Sequence, residues 1–155
     1  MTVLLPILDD FDRGLAEIKK AKDSGKKGIL IFFEMDECPF CHYMKKNVLN
    51  QPNVQAFYRK NFLNFVIDIE GDVEMVNLKG NTVKQKDFAK KNRVRATPVI
   101  AYYNLKGKLV YRHTGKTSGV DEFMWLGEYI ANEVYKKKIR FSHYKKQKRA
   151  EKKDK

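Results

Sequence analysis

Two cysteines stand in the whole chain, and only two residues separate them: Cys38-Pro39-Phe40-Cys41. What flanks the pair constrains the fold more than any other stretch. Just before it runs Gly28-Ile29-Leu30-Ile31-Phe32-Phe33-Glu34, short, β-branched and aromatic. Such a run reads as a buried strand. Just after it, Cys41-His42-Tyr43-Met44-Lys45-Lys46-Asn47-Val48-Leu49 sets Met44, Val48 and Leu49 on one helical face, and Pro39 suits a first-turn position. The cysteines therefore sit where a strand feeds a helix.

That placement has chemical consequences. The free N–H groups and positive dipole end of a helix N-terminus stabilise an anion. The thiolate is the attacking species in disulfide exchange, and such a site favours it. Two intervening residues put both sulfurs on one helical turn, close enough to bond. Cys38, nearer the helix start and more exposed, is the expected attacking residue, and Cys41 the resolving one. Other readings of the spacing stay open. A zinc site needs four ligands, and His42, His113 and His143 form no paired motif with a second cysteine pair. A structural disulfide closing so tight a loop restricts the unfolded chain little. Chance proximity of two core cysteines is the third.

At 155 residues, 43% hydrophobic and 12% aromatic, the chain is one globular domain with a sizeable core. No apolar run is long enough to cross a membrane. The start lacks a basic region followed by a full apolar stretch, so it does not read as a leader. Two cysteines fit the cytoplasm or the periplasm equally. The net charge of +13 is uneven: residues 136–155 hold eleven Lys or Arg against two acids. We therefore divide the chain into a domain over residues 1–135 and a basic tail over 136–155. The tail is expected to be a frayed, solvated extension of the last helix. Contact with nucleic acid or an anionic membrane is the alternative, with Phe141 and Tyr144 available to stack or insert.

Periodicity predicts a helix over Asp9 to Ala21, with Phe11, Leu15 and Ile18 inward, before the central strand. A helical turn or two follows at Val54 to Lys60, then a strand within Asn61 to Ile69. Val73–Leu78 and Thr82-Val83 form a small hairpin around Lys79-Gly80-Asn81. A short helix covers Lys86 to Arg93. Val99–Tyr103 and Lys108–His113 read as an antiparallel pair, and Val120–Tyr135 as a final helix. Gly115-Lys116-Thr117 ends like a phosphate loop, but Val110 stands where the first glycine is required.

The element order, with CPFC after the first long strand and Thr97-Pro98 before the late hairpin, resembles the thioredoxin superfamily over about residues 8–135. The resemblance implies an α/β thioredoxin fold: a central mixed sheet flanked by helices, with a small hairpin insertion. The segment from Glu34-Met35-Asp36-Glu37 through the Gly71–Val83 hairpin is similar to the thioredoxin-related branch. That branch includes bacterial periplasmic thiol-disulfide proteins, among them those of sulfur-oxidation gene clusters and the C-terminal domain of a transmembrane reductant carrier. Also implied is a cis peptide at Thr97-Pro98 beside the cysteines, where the Thr97 backbone can pair with an extended substrate strand. Pro39 and Phe40 complete the expected substrate contact.

The chain departs from thioredoxin in two places. Phe32 replaces the buried Asp of the preceding strand, which leaves Glu34 as candidate proton acceptor for Cys41. Glu37 replaces the Trp before the first cysteine, and Asp36 and Glu37 oppose the thiolate that the helix end favours. The implied function is a monomeric thiol-disulfide oxidoreductase, reducing protein disulfides with electrons from an upstream protein reductant, and needing no metal or bound cofactor. The branch tilts the compartment towards the periplasm with a leader removed. CPFC also resembles glutaredoxin, although Ser118-Gly119-Val120-Asp121 lacks the paired glycines used there for glutathione. A thioredoxin-fold binding module recruited by its tail is the non-catalytic alternative.

Overall fold

Residues 6–154 are described by a computed structural model; residues 1–5, part of the start read for a leader, and residue 155 lie outside it. The elements are β1 (Asp9–Asp10), α1 (Gly14–Asp23), β2 (Gly28–Glu34), α2 (Pro39–Asn47), α3 (Pro52–Asn61), β3 (Phe62–Asp68), β4 (Glu74–Val76), β5 (Thr82–Lys84), α4 (Gln85–Lys91), β6 (Val99–Tyr103), β7 (Leu109–Thr114), α5 (Val120–Ala131), a 3-10 turn (Val134–Lys137) and α6 (Phe141–Lys153).

Strand β2 holds the middle of a five-stranded sheet ordered β1-β3-β2-β6-β7. It runs parallel to β3, from Gly28 opposite Phe62 to Glu34 opposite Asp68. On its other side it runs antiparallel to β6, with Phe33 opposite Val99. Its six consecutive buried residues are explained by helices on both faces. Leu30 and Phe32 enter one core with Cys38, Cys41, Met44, Tyr58, Phe62, Tyr102 and Phe123. Ile29, Ile31 and Phe33 enter the other with Phe11, Phe65, Phe88 and Val99. Strands β4 and β5 pair as the separate hairpin that the sequence announces. The architecture is the mixed, helix-flanked sheet that the thioredoxin resemblance implies.

The first helix begins later than its periodicity suggests. Asp9 and Asp10 pair with Phe65 and Val66 as an edge strand. Arg13 bridges Val76, and the Val76 N–H donates to the Asp12 carbonyl at 2.8 Å. Backbone groups committed to two sheets cannot also close helical turns. Phe11 is buried from this extended segment, while Leu15 faces solvent. Gly14 opens α1 because a Cβ there would lie 2.8 Å from the Val76 carbonyl oxygen.

The C-terminal end departs further. Helix α5 stops at Ala131, and Glu133 and Lys138 take left-handed conformations around the 3-10 turn. The chain then reverses, and residues 141–153 form a separate helix lying back on α5, in place of the frayed extension expected of them. Phe141 is only 5% exposed and meets Tyr111 and Tyr129 at ring separations of 5.9 and 5.4 Å. Tyr144 packs on Tyr129 at 5.5 Å. The two aromatics read as available for stacking or insertion are thus spent on docking the helix. Lys145 pairs with Glu122 at 2.8 Å, Lys148 with Glu128 at 3.4 Å, and Lys152 with Asp121. Partly exposed ion pairs contribute about 0–1 kcal/mol each, so the apolar contact holds α6 and the pairs set its register.

Phe141→Ala should therefore cost about 3 kcal/mol in urea unfolding and open α6 to trypsin at its lysines. An undiminished stability would show that α6 is not docked by that ring. The Glu122 carboxyl carries a second signal. Burial alone would raise its pKa, but Lys145 and the Ser118 N–H outweigh burial and hold it below the usual range. A depressed carboxylate adds stability that is present above the unfolded value, about 4.3, and lost as pH falls through the folded one. Lys145→Met should accordingly lose less stability between pH 5 and pH 3 than the wild type does, as read by thermal melts across that window.

Candidate active site

Pro39 occupies the first turn of α2, and Cys38 is the residue that caps it, with extended backbone at φ −136° and ψ 95°. Its side chain replaces the oxygen that usually caps a helix: the Cys41 N–H donates to Cys38 Sγ at 3.1 Å. The His42 N–H donates to the Cys38 carbonyl, also at 3.1 Å. Cys38 and Cys41 are joined as a disulfide with their Cα atoms 5.2 Å apart. The two residues are 4% and 2% exposed, so Cys38 is barely more open than its partner. Bonding to Cys41 folds its sulfur back over the first turn, into the cluster that holds Ile100 and Tyr102. Access is left to neighbouring residues: Pro39 is exposed, and Phe40, between the cysteines, is 53% exposed.

The second half of the site comes from β6. Because Phe33 faces Val99 across the sheet, Pro98 falls beside the end of β2 from which the cysteine loop departs. The Thr97–Pro98 peptide bond is cis; Pro98 is buried and Thr97 half-buried. The two halves are tied together by the loop after β7. The Gly115 N–H donates to the Pro98 carbonyl at 2.7 Å. Two residues on, the fully buried Thr117 donates its N–H to Met44 Sδ of α2 at 3.4 Å, and its hydroxyl donates to the Gly119 carbonyl at 2.9 Å. Between them, Lys116 holds its ammonium 4.7 Å from the Tyr43 ring centre and 5.8 Å from that of Phe40. His113 Nε2 donates to the Lys116 carbonyl at 3.1 Å.

Gly115-Lys116-Thr117 is a loop in the sequence and no phosphate loop, but its place at the site is not apparent from its own residues. The available signal was its place after the hairpin that begins at Pro98.

Other candidates are placed as follows. Glu34, at the end of β2, is engaged by Lys45 of α2 at 2.8 Å, so its carboxylate already has a cation partner. Phe32 is fully buried, in the core that also holds the two cysteines. His42 is exposed on α2 and donates from Nε2 to the Asp36 carbonyl at 3.2 Å. The Ser118 N–H, in the stretch compared with glutaredoxin, is taken by Glu122 at 3.1 Å, and Gly119 caps α5 with φ 129°. Among the described residues no group of three or more His, Cys, Asp or Glu is placed to hold a metal ion. Chemically the arrangement offers a dithiol couple whose outer sulfur is stabilised by a helix amide, with an exposed aromatic on one side and the Thr97 backbone on the other.

Comparison with known proteins finds the same fold in solved structures. A structure of a thioredoxin-fold protein from Helicobacter pylori has a TM-score of 0.65, with 22% identity over 81% of this chain and 82% of that one. The reduced C-terminal domain of DsbD from Neisseria meningitidis has a TM-score of 0.54, with 22% identity over 73% of this chain and 89% of that one. A thioredoxin from Thermus thermophilus has a TM-score of 0.57, with 20% identity over 79% and 88%. At such identities the likeness is one of fold. A search of curated proteins found no significant match. The family model described as a thioredoxin-like domain matches residues 16–131, from α1 to the end of α5. That span takes in the capped cysteine pair, the central strand and Pro98, and by it this chain belongs to the thioredoxin-like family.

Proposed function

We propose that the chain is a thiol-disulfide oxidoreductase that reduces disulfides in other proteins. The observation that carries this reading is the Cys38–Cys41 disulfide with its outer sulfur receiving the Cys41 N–H at the mouth of α2. In the dithiol state a Cys38 thiolate keeps that donor, and the exposed carboxylates of Asp36 and Glu37 oppose it through solvent. It attacks one sulfur of a substrate disulfide: a Cys38–substrate bond forms, the substrate S–S bond breaks, and the departing sulfur takes a proton from water. Cys41 then gives up its proton and attacks Cys38 Sγ. The mixed disulfide breaks, and the second substrate sulfur takes that proton. Two electrons have passed to the substrate, and the intramolecular disulfide remains. An upstream protein reductant restores the dithiol, so the cysteine pair is itself the redox group and no metal or bound cofactor takes part.

Shielding of both sulfurs favours a protein substrate. A partner must lay a segment across Pro39 and Phe40 and pair with the Thr97 backbone before its sulfur reaches Cys38. We place this exchange in the bacterial periplasm, on the branch resemblance of the segment from Glu34 through the β4–β5 hairpin, with the protein acting as a monomer.

Insulin reduction with dithiothreitol at pH 7 tests the activity. The wild type should shorten the lag before insulin precipitates, and Cys38→Ser should return it to that of dithiothreitol alone. Cys41→Ser should accumulate a mixed disulfide with insulin on a non-reducing gel. A wild type no faster than dithiothreitol sinks the proposal. Equilibration with glutathione tests the direction: a potential at or below about −200 mV fits a reductase, whereas one near −120 mV would make the protein an oxidant.

A further inference from the structure

The reduction chemistry proposed above does not use the Lys116 ammonium, although that group stands at the rim of the site. Its loop is fastened at both sides, by Gly115 to the Pro98 carbonyl and by Thr117 to Met44. The side chain is half-buried and crosses from the β7 side of the site to α2, ending over Tyr43 and near Phe40. None of the ion pairs among the described residues includes Lys116. A ring face attracts a cation without cancelling its charge. The result is a positive charge held in a fixed place, without a carboxylate, beside the exposed ring that lies between the two cysteines.

The charges around it make the arrangement directional. Lys45, the next cation along α2, is neutralised by Glu34. Asp36 and Glu37 precede Cys38 and are exposed. The rim is thus acidic on the chain entering Cys38 and basic on the Phe40 and Lys116 side. The loop that carries Lys116 is bonded at Gly115 to the Pro98 carbonyl, one residue from the Thr97 backbone on which a substrate strand would pair.

We infer that Lys116 is a specificity-determining residue of the site: it selects protein disulfides that carry an acidic side chain next to the attacked cysteine. The assignment rests on the oxidoreductase reading, which it deepens by naming a substrate class. A partly solvated ammonium at an interface rim acts on encounter and orientation, and its effect is screened by salt. The bond-breaking steps are those already given.

The test uses three disulfide peptides that differ only beside the cysteine, which is followed by Asp, Asn or Lys. Their kcat/KM is measured with the wild type, Lys116→Glu, Lys116→Gln and Lys116→Arg, each first shown to be folded by circular dichroism. The wild type should prefer the Asp peptide to the Lys peptide about tenfold at low salt, and 0.5 M sodium chloride should shrink that preference to about twofold or less. Lys116→Arg should keep the preference, Lys116→Gln should remove most of it, and Lys116→Glu should invert it. The same Asp-to-Lys ratio in the wild type and Lys116→Glu overturns the assignment while leaving the oxidoreductase reading intact. A wild type that turns over none of the three peptides overturns that reading, and this assignment with it.

Discussion

A main-chain N–H aimed at a sulfur is the contact on which this structure depends. Cys41 N–H can reach Cys38 Sγ only if Cys38 caps α2, and Cys38 caps α2 only if β2 delivers the chain at the right point. β2 is fixed along its length by β3 on one side and β6 on the other. A helix end stabilises an adjacent anion by about 0.3–1 kcal/mol at an exposed surface, and by up to about 2 kcal/mol where water is partly excluded. Here both cysteines are nearly excluded from water, which strengthens the contact with the helix amide and also penalises a bare thiolate. Asp36 and Glu37 act through solvent and are screened. In the disulfide the Cys41 N–H touches Cys38 Sγ, while the carboxylates of Asp36 and Glu37 face solvent.

The sheet can hold β2 so firmly because a polar link runs through one of its cores. Tyr58 of α3 stacks on Phe123 of α5 with ring centres 4.2 Å apart, and its hydroxyl donates to the Phe123 carbonyl at 2.6 Å. A hydroxyl has one proton to give, so in the 2.8 Å contact between the two phenols Tyr102 of β6 must be the donor. Burial pushes both phenols well above their usual pKa, which keeps these protons in place. Gly127 leaves the room: a Cβ there would lie 2.7 Å from the Tyr58 hydroxyl. One hydrogen-bonded pair thus joins α3, α5 and β6, the strand that carries Pro98 to the cysteines.

What the sequence made legible follows from how each element is stabilised. β2 could be read because burial on both faces writes itself as an unbroken apolar run, and α2 because Pro39 and the Met44, Val48, Leu49 face mark its start and its side. The cysteine pair stood out by being the only two. The start of α1 could not be read, because main-chain pairing of Asp9, Asp10 and Arg13 with distant strands leaves no side-chain pattern. Phe11 and Ile18 are both buried, as the periodicity required, yet from an extended segment and a helix respectively. α6 carried a charge signal and two aromatics, Phe141 and Tyr144, with nothing to say what they would meet. The residues that dock it, Tyr111, Glu122 and Tyr129, lie on other elements, and a run of lysines does not announce which acids it will meet.

Lys116 illustrates the same limit at the site itself. Its neighbours in sequence suggest a phosphate loop, and its neighbours in space are two aromatic rings of α2. The antiparallel turn of β6 into β7 brings the loop back to the cysteines, and the Gly115–Pro98 and Thr117–Met44 contacts fix how far it returns. This geometry has a consequence for how a fold shared with distant relatives is put to use. The capped cysteine and Pro98 are built from the central strands, whose register is set by burial and leaves little room for variation. The loop between β7 and α5 is fastened at its two flanks, and its middle residue lies over the rings of α2 outside the sheet, so a change there alters the charge of the rim without disturbing the register beneath it. The cysteine pair and the lysine at its rim therefore belong to different layers of the molecule, the first fixed by the sheet and helix end, the second by a side chain that the sheet merely positions.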